Sequence, residues 1–169
     1  MMLKNNVISG LLLGLSVSLG TQILTWLGLG LTNWFVLLTY ILVLGFVIIT
    51  LRKQWIIQND SLPFTKVLFG VFIIVLVSRY VFQLYMFLYI NYVDPNWMND
   101  VTIYWTQMLE DQGSPPEEIK ASIDAFHKSY QPTRMFTVEI ILYGFPQFIL
   151  GMLGSLYFVF RKPSKNTMK

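Results

Sequence analysis

A chain of 169 residues that is 54% hydrophobic and only 12% charged falls outside the range of soluble domains, in which about a quarter of residues carry charge, and reads as an all-α integral membrane protein. With no cysteine in the sequence, disulfides, thiolate nucleophiles and cysteine-bound metals are excluded. The net charge of +3 does not point to nucleic acid, because most basic residues sit beside the ends of apolar runs, where membrane topology accounts for them.

Apolar runs at about 7–31, 34–51, 67–92 and 135–160 each approach or exceed the roughly 20 residues that cross hydrocarbon at 1.5 Å per residue. They predict four transmembrane helices in a single membrane domain covering 1–169. The first run, "MMLKNNVISGLLLGLSVSLGTQ", places Lys4 before an apolar stretch and Ser18-Leu19-Gly20 where a signal peptide would be cut. The apolar character continues through "ILTWLGLGL", longer than a signal's core, so an uncleaved first span is expected. Gly10, Gly14 and Ser18 recur at every fourth position and continue to Gln22, a close-packing stripe for another helix of the chain or for a second copy.

"GLGLTNW" between Trp26 and Trp34 is a glycine-rich turn with interfacial aromatics, which makes spans one and two antiparallel neighbours. The next connection carries Arg52, Lys53 and Lys66, and the tail carries Arg161, Lys162, Lys165 and Lys169. The positive-inside rule puts both in the cytoplasm, and Lys4 agrees, giving an N-in, C-in protein.

Span three contains "VLVSRYVFQLYMF", with Arg79 deep in the run and Gln83 one turn further on. A charge at mid-bilayer costs about 2.5–3.5 kcal/mol on insertion scales, so Arg79 is expected to face the bundle interior and find a partner. The segment from Val93 to Arg134 then lies outside, with seven acids against Lys120, Lys128 and Arg134, a net charge of −4. It is too long for a plain connection.

An extracytoplasmic helical hairpin is expected there, over about 94–131. Its first helix opens after Asp94-Pro95 and closes at Gly113, with Val101, Tyr104, Trp105 and Met108 on one face. The second opens at "SPPE", with Ser114 as cap, Pro115 in the first turn and Glu117 at capping-box spacing. Ile119, Ile123, Phe126 and Tyr130 form its apolar stripe, and Pro132 ends it. The pair either packs on itself or lies on the membrane surface, as a structural cap or as a docking surface. His127, with Asp124 three residues earlier, offers too few ligands for a metal and reads as an exposed or capping histidine. The acid pairs Glu110-Asp111 and Glu117-Glu118 read as solvated helix ends. No metal or other cofactor is expected.

The last span places Glu139, Tyr143 and Gln147 at i, i+4 and i+8. Counting depth from the outer ends sets Arg79 level with Gln147 and Gln83 level with Tyr143. A polar seam of Arg79, Gln83, Glu139, Tyr143 and Gln147 results, with Glu139 at its outer end. Such a ladder either glues two helices together or forms a polar site or ion path, the third option being that Arg79 snorkels to an interface. Pro146 is expected to kink this span near Gln147, and Gly151 and Ser155 form a second, shorter small-residue stripe.

The order of these features is recognisable. A small-residue first span, a basic inner loop leading into "FTKVLFGVFIIVLVSRYVFQLYMF", the acidic "LEDQGSPPEEIKASIDAF" and the last span "FTVEIILYGFPQFILGMLGSLYFVF" ending in "RKP" resemble the domain of unknown function 4199 (DUF4199) family over nearly the full length. The resemblance implies a four-span inner-membrane protein of the kind common in Bacteroidota. It implies no activity, and no residue role is carried over from it.

The sequence has no serine nucleophile paired with a base, no zinc motif and no paired carboxylates within the spans, so an enzyme is not expected. Two classes of function remain. One is a non-enzymatic scaffold, regulatory or accessory subunit that meets a membrane or periplasmic protein partner through the outer hairpin or a helix face. The other is a small transporter or channel subunit built around Arg79, which four spans would provide only as a homo-oligomer.

Overall fold

A computed structural model describes residues 2–28, 33–58 and 62–160. In chain order the helices are α1 (Met2–Trp26), α2 (Asn33–Ile57), α3 (Phe64–Leu88), which runs into a π-helical turn (Tyr89–Val93), α4 (Trp97–Asp111), α5 (Pro116–Ser129), the short α6 (Pro132–Met135) and α7 (Val138–Phe160). No strand occurs among the described residues. Among them four helical stretches are long and apolar enough to cross a membrane: Met2–Trp26, Val36–Ile57, Phe64–Val93 and Pro132–Phe160.

Several boundaries move relative to the sequence reading, each for a local reason. The first helix begins at Met2 and not near residue 7, because Asn6 is buried and hydrogen-bonded. It ends at Trp26, where Gly28 takes a φ of 73° and its N–H bonds the Thr25 carbonyl, a conformation open to glycine at little cost. The expected continuation to Leu31, most of the glycine-rich turn, part of the loop between α2 and α3 and the basic tail lie outside the described residues. The second helix continues past Leu51 to Ile57, because Gln54 and Trp55 return to the buried side.

In the segment between α3 and α7 Ser114 is not the cap. Pro115, extended at φ −60° and ψ 146°, holds that position, no side chain caps the helix, and Pro116 sits in its first turn. Pro already lacks the N–H that a cap would satisfy, which removes part of the need for one. Helix α5 also stops at Ser129, before Pro132, which instead opens α6. The last span is therefore broken at 136–137 ahead of α7.

The chain divides into two compact units, one comprising 1–82 with 142–169 and the other 83–141. In the first, α1 and α2 are antiparallel: Met2 meets Gln58, Asn6 meets Gln54, Ser9 meets Thr50 and Gly20 lies against Leu38, so numbers fall on one helix as they rise on the other. Helices α1 and α3 are parallel. A Cβ placed on Gly10 would lie 2.9 Å from the Ile74 carbonyl oxygen, and one on Gly14 2.8 Å from that of Ser78. Only glycine lets two helices approach so closely, and dense van der Waals contact replaces the hydrophobic effect as the attraction between helices in lipid. Helices α3 and α7 are antiparallel, with Phe72 on Phe148 and Val71 under Gly151.

Polarity in this unit is the reverse of that in a soluble bundle. Asn6, Ser18, Thr50, Gln54, Ser78, Arg79, Gln147 and Ser155 are buried, while Leu19, Ile41, Phe69, Phe145 and Leu153 are exposed. In water the exposed set would be costly; against lipid tails it costs nothing, and the polar groups then have to satisfy one another inside. Several hydroxyls do so by bonding back to their own helix, as Ser18 does to Gly14, Thr21 to Val17 and Ser78 to Val75.

The second unit is built on rings. Helices α4 and α5 are held together by Trp97 against Phe126 and Tyr130, and by Trp105 against Phe126 at 5.5 Å between centroids. The α4 face carrying Val101 and Trp105 turns inward, with Val101 fully covered. Phe87 packs on Phe136 and Met135 is buried.

Candidate functional site

Arg79 is the most unusual group in the first unit. Its side chain is 8% exposed, and its Nη2 donates to the backbone carbonyl of Tyr143 at 3.1 Å. Its charge lies 5.5 Å from the centre of the Tyr143 ring and 5.9 Å from that of Phe82, within reach of the ring quadrupoles. The stem runs past Gly144, where an added Cβ would lie 3.7 Å from Arg79 Cγ. Pro146 helps: lacking an N–H, it frees the carbonyl of Leu142 and loosens the turn that offers the Tyr143 carbonyl. Nε of Arg79 is buried without a hydrogen-bond partner, and Arg79 forms no ion pair among the described residues.

The register differs from the sequence reading by one turn. Depth counting set Arg79 opposite Gln147, whereas it bonds at Tyr143, because Phe72–Phe148 and Val71–Gly151 fix the sliding of α3 against α7. Tyr143 contributes its carbonyl and its ring face; its side chain is half exposed. Gln147 is buried in the same unit. The structure thus brings Arg79 and Tyr143 together, with Gln147 buried one turn further along α7.

Gln83 and Glu139 belong to the second unit, and both are buried. Glu139 is 3% exposed and accepts a hydrogen bond from Nε of Arg134 at 2.9 Å through Oε1, while Oε2 has no hydrogen-bond partner. The sequence reading passed over Arg134 because five residues is not a helical neighbour spacing. The break at 136–137 is what folds it back. In the same unit His127 is exposed, and its Nε2 lies 3.1 Å from the Thr102 hydroxyl. That hydroxyl already donates to the Met98 carbonyl, so it accepts from the imidazole N–H.

The small-residue stripe is fully engaged within the chain. Gly10 and Gly14 lie against Val77 and Val81 of α3, and Ser18 is buried. Sequence reasoning missed that the stripe starts one turn earlier, at Asn6, which pairs with Gln54 beside a Ser9–Thr50 bond. The signal was present, since 6, 10, 14 and 18 share one spacing.

A protein family described as protein of unknown function (DUF4199) matches residues 8–159. The chain belongs to that family. Comparison with curated proteins and with solved structures gives no match.

Proposed function

Starting from that membership, we propose that the chain is a non-enzymatic protein of a bacterial inner membrane, with four spans and both termini inside, that acts as a scaffold or regulatory subunit through α4 and α5 on the outer side. The observation that carries the reading is the build of those two helices. Rings clamp them together, while Asp100, Glu110, Glu117, Glu118 and Asp124 remain exposed. A rigid, charged surface of this kind recognises a partner at small entropic cost. The inward-facing polar groups and outward-facing leucines and phenylalanines of the first unit support lipid as its solvent.

The test uses the lack of native cysteine, which makes any introduced thiol unique. Lys120→Cys is expected to react with a membrane-impermeant maleimide on intact spheroplasts, and Lys53→Cys only after lysis; the reverse pattern overturns the orientation. Photo-crosslinkers at Ile103 and Lys120 are expected to yield a discrete protein adduct in native membranes. If adducts form only at the outward-facing Phe145 and Leu153, or at none of the four, the scaffold reading fails.

Arg79 favours a second reading, a small transporter or channel subunit working as a homo-oligomer. A buried guanidinium with an idle Nε and no acid in ion-pair range among the described residues is suited to meeting an anion. In that case reconstituted vesicles would show anion flux that Arg79→Gln abolishes. Flux that Arg79→Gln leaves unchanged would remove Arg79 from it.

A further inference from the structure

The stripe on α5 is only half covered. Phe126 and Tyr130 are engaged by Trp97 and Trp105, but towards the turn the facing positions of α4 are Thr106 and Glu110. There a groove of about 430 Å³ is lined by Ile119 and Ile123 together with Thr106, Glu110, Lys120 and Asp124. Its volume is within the roughly 300–1,000 Å³ of binding pockets. Gly113, at a φ of 74°, turns the chain at that end, and the first turn of α5 adds Glu117 and Glu118.

We infer that this groove docks a basic amphipathic segment of a partner protein, with apolar side chains on Ile119 and Ile123 and cationic groups facing Glu110 and Asp124. The inference rests on the scaffold reading above and supplies its partner chemistry. Charge decides among the occupants. The segment from Val93 to Arg134 carries a net charge of −4. An anionic lipid surface would be repelled by it. A second copy seated groove to groove would set acids against acids, because a two-fold contact presents the same patch twice. A cationic partner is attracted by Glu110 and Asp124, which outnumber Lys120, and the isoleucines supply the apolar burial that charge alone does not.

The full chain in nanodiscs of zwitterionic lipid is titrated against a fluorescent helical peptide with lysine on one face and leucine on the other, with empty nanodiscs as baseline. The same peptide with glutamate in place of lysine is run beside it. The lysine peptide is expected to bind and the glutamate peptide not to. Glu110→Gln with Asp124→Asn, and separately Ile119→Ser, should each weaken binding about tenfold, while Asp100→Asn, away from the groove, should change it less than twofold. Lys120→Ala, which removes the one cation from the lining, should tighten binding about twofold; should the acid variants fail to fold, this substitution and Ile119→Ser carry the test.

Absence of lysine-peptide binding overturns the inference, as does equal weakening by Asp100→Asn, which would show only diffuse attraction. Adducts at Ile103 and Lys120 without peptide binding would leave the scaffold reading standing and remove its basic partner. Loss of the adducts would remove the scaffold reading itself.

Discussion

Two helix pairs in this molecule close in opposite ways. Where α1 meets α3, glycine removes the side chain and lets one backbone approach the other: added Cβ atoms at Gly10 and Gly14 would lie 2.7 and 2.6 Å from Val77 and Val81. Where α4 meets α5, tryptophan, phenylalanine and tyrosine fill the gap at 5.3–6.2 Å between ring centres. On the membrane placement proposed above, the solvent accounts for the difference. Lipid tails give apolar side chains no reason to leave them, so association there depends on close contact. Water rewards each buried ring by its area, so association there depends on bulk.

The contrast breaks most sharply at Gly14. Gly14→Val should cost about 3 kcal/mol or more, because its Cβ would meet both Val81 and the Ser78 carbonyl, which cannot move aside. Gly45 sits in open space, and Gly45→Ala should be neutral or stabilising by up to about 1 kcal/mol. Thermal denaturation of both variants in detergent separates the two cases. A Gly14→Val protein with parental stability would mean that α1 and α3 do not touch at this point.

A smaller effect is expected where charge replaces shape. Arg134→Ala strips the buried Glu139 of its partner and should cost about 2 kcal/mol, below the 3–5 kcal/mol of a fully buried pair, because Arg134 is 43% exposed. Adding Glu139→Gln should restore most of the loss. A double-mutant cycle read by urea unfolding measures the coupling. A value near zero would mark the pair as an ordinary surface contact.

How much of this was legible follows the same division. Four long helices and their order could be read from the apolar runs, because a stretch of about 20 nearly charge-free residues has few alternatives; the burial of Arg79 followed from its lying within one, and α4 and α5 from helical spacing between proline and glycine boundaries. The register of α3 on α7 could not. It is set by Phe72, Phe148 and Gly151, ordinary apolar positions whose partners only three-dimensional packing selects, and depth counting from uncertain ends missed it by one turn. The Arg134–Glu139 pair was hidden because α6 stops before α7 begins. Proline 132 and 146 were visible, but only the first breaks the chain's helical course nearby.

The smallest expected effect probes the polar contact between α1 and α2, and its sign depends on which partner is removed. Nε2 of Gln54 donates to Oδ1 of Asn6, while Oε1 of Gln54 has no hydrogen-bond partner. Gln54→Leu loses one bond but also removes an unsatisfied buried acceptor, so the two terms offset and the net change should stay within about 0.6 kcal/mol, the average for polar contacts between membrane helices. Asn6→Ala is different. It removes the partner of Gln54 Nε2 beside the already unpartnered Oε1 and empties the space above Gly70, where Asn6 Nδ2 would lie 3.3 Å from an added Cβ. That loss should reach about 1–2 kcal/mol, and Gly70→Ala should recover part of it by refilling the space. Equal losses from Asn6→Ala and Gln54→Leu, measured by thermal unfolding, would show that the contact acts as a symmetric bond and that the idle oxygen of Gln54 is satisfied in the protein.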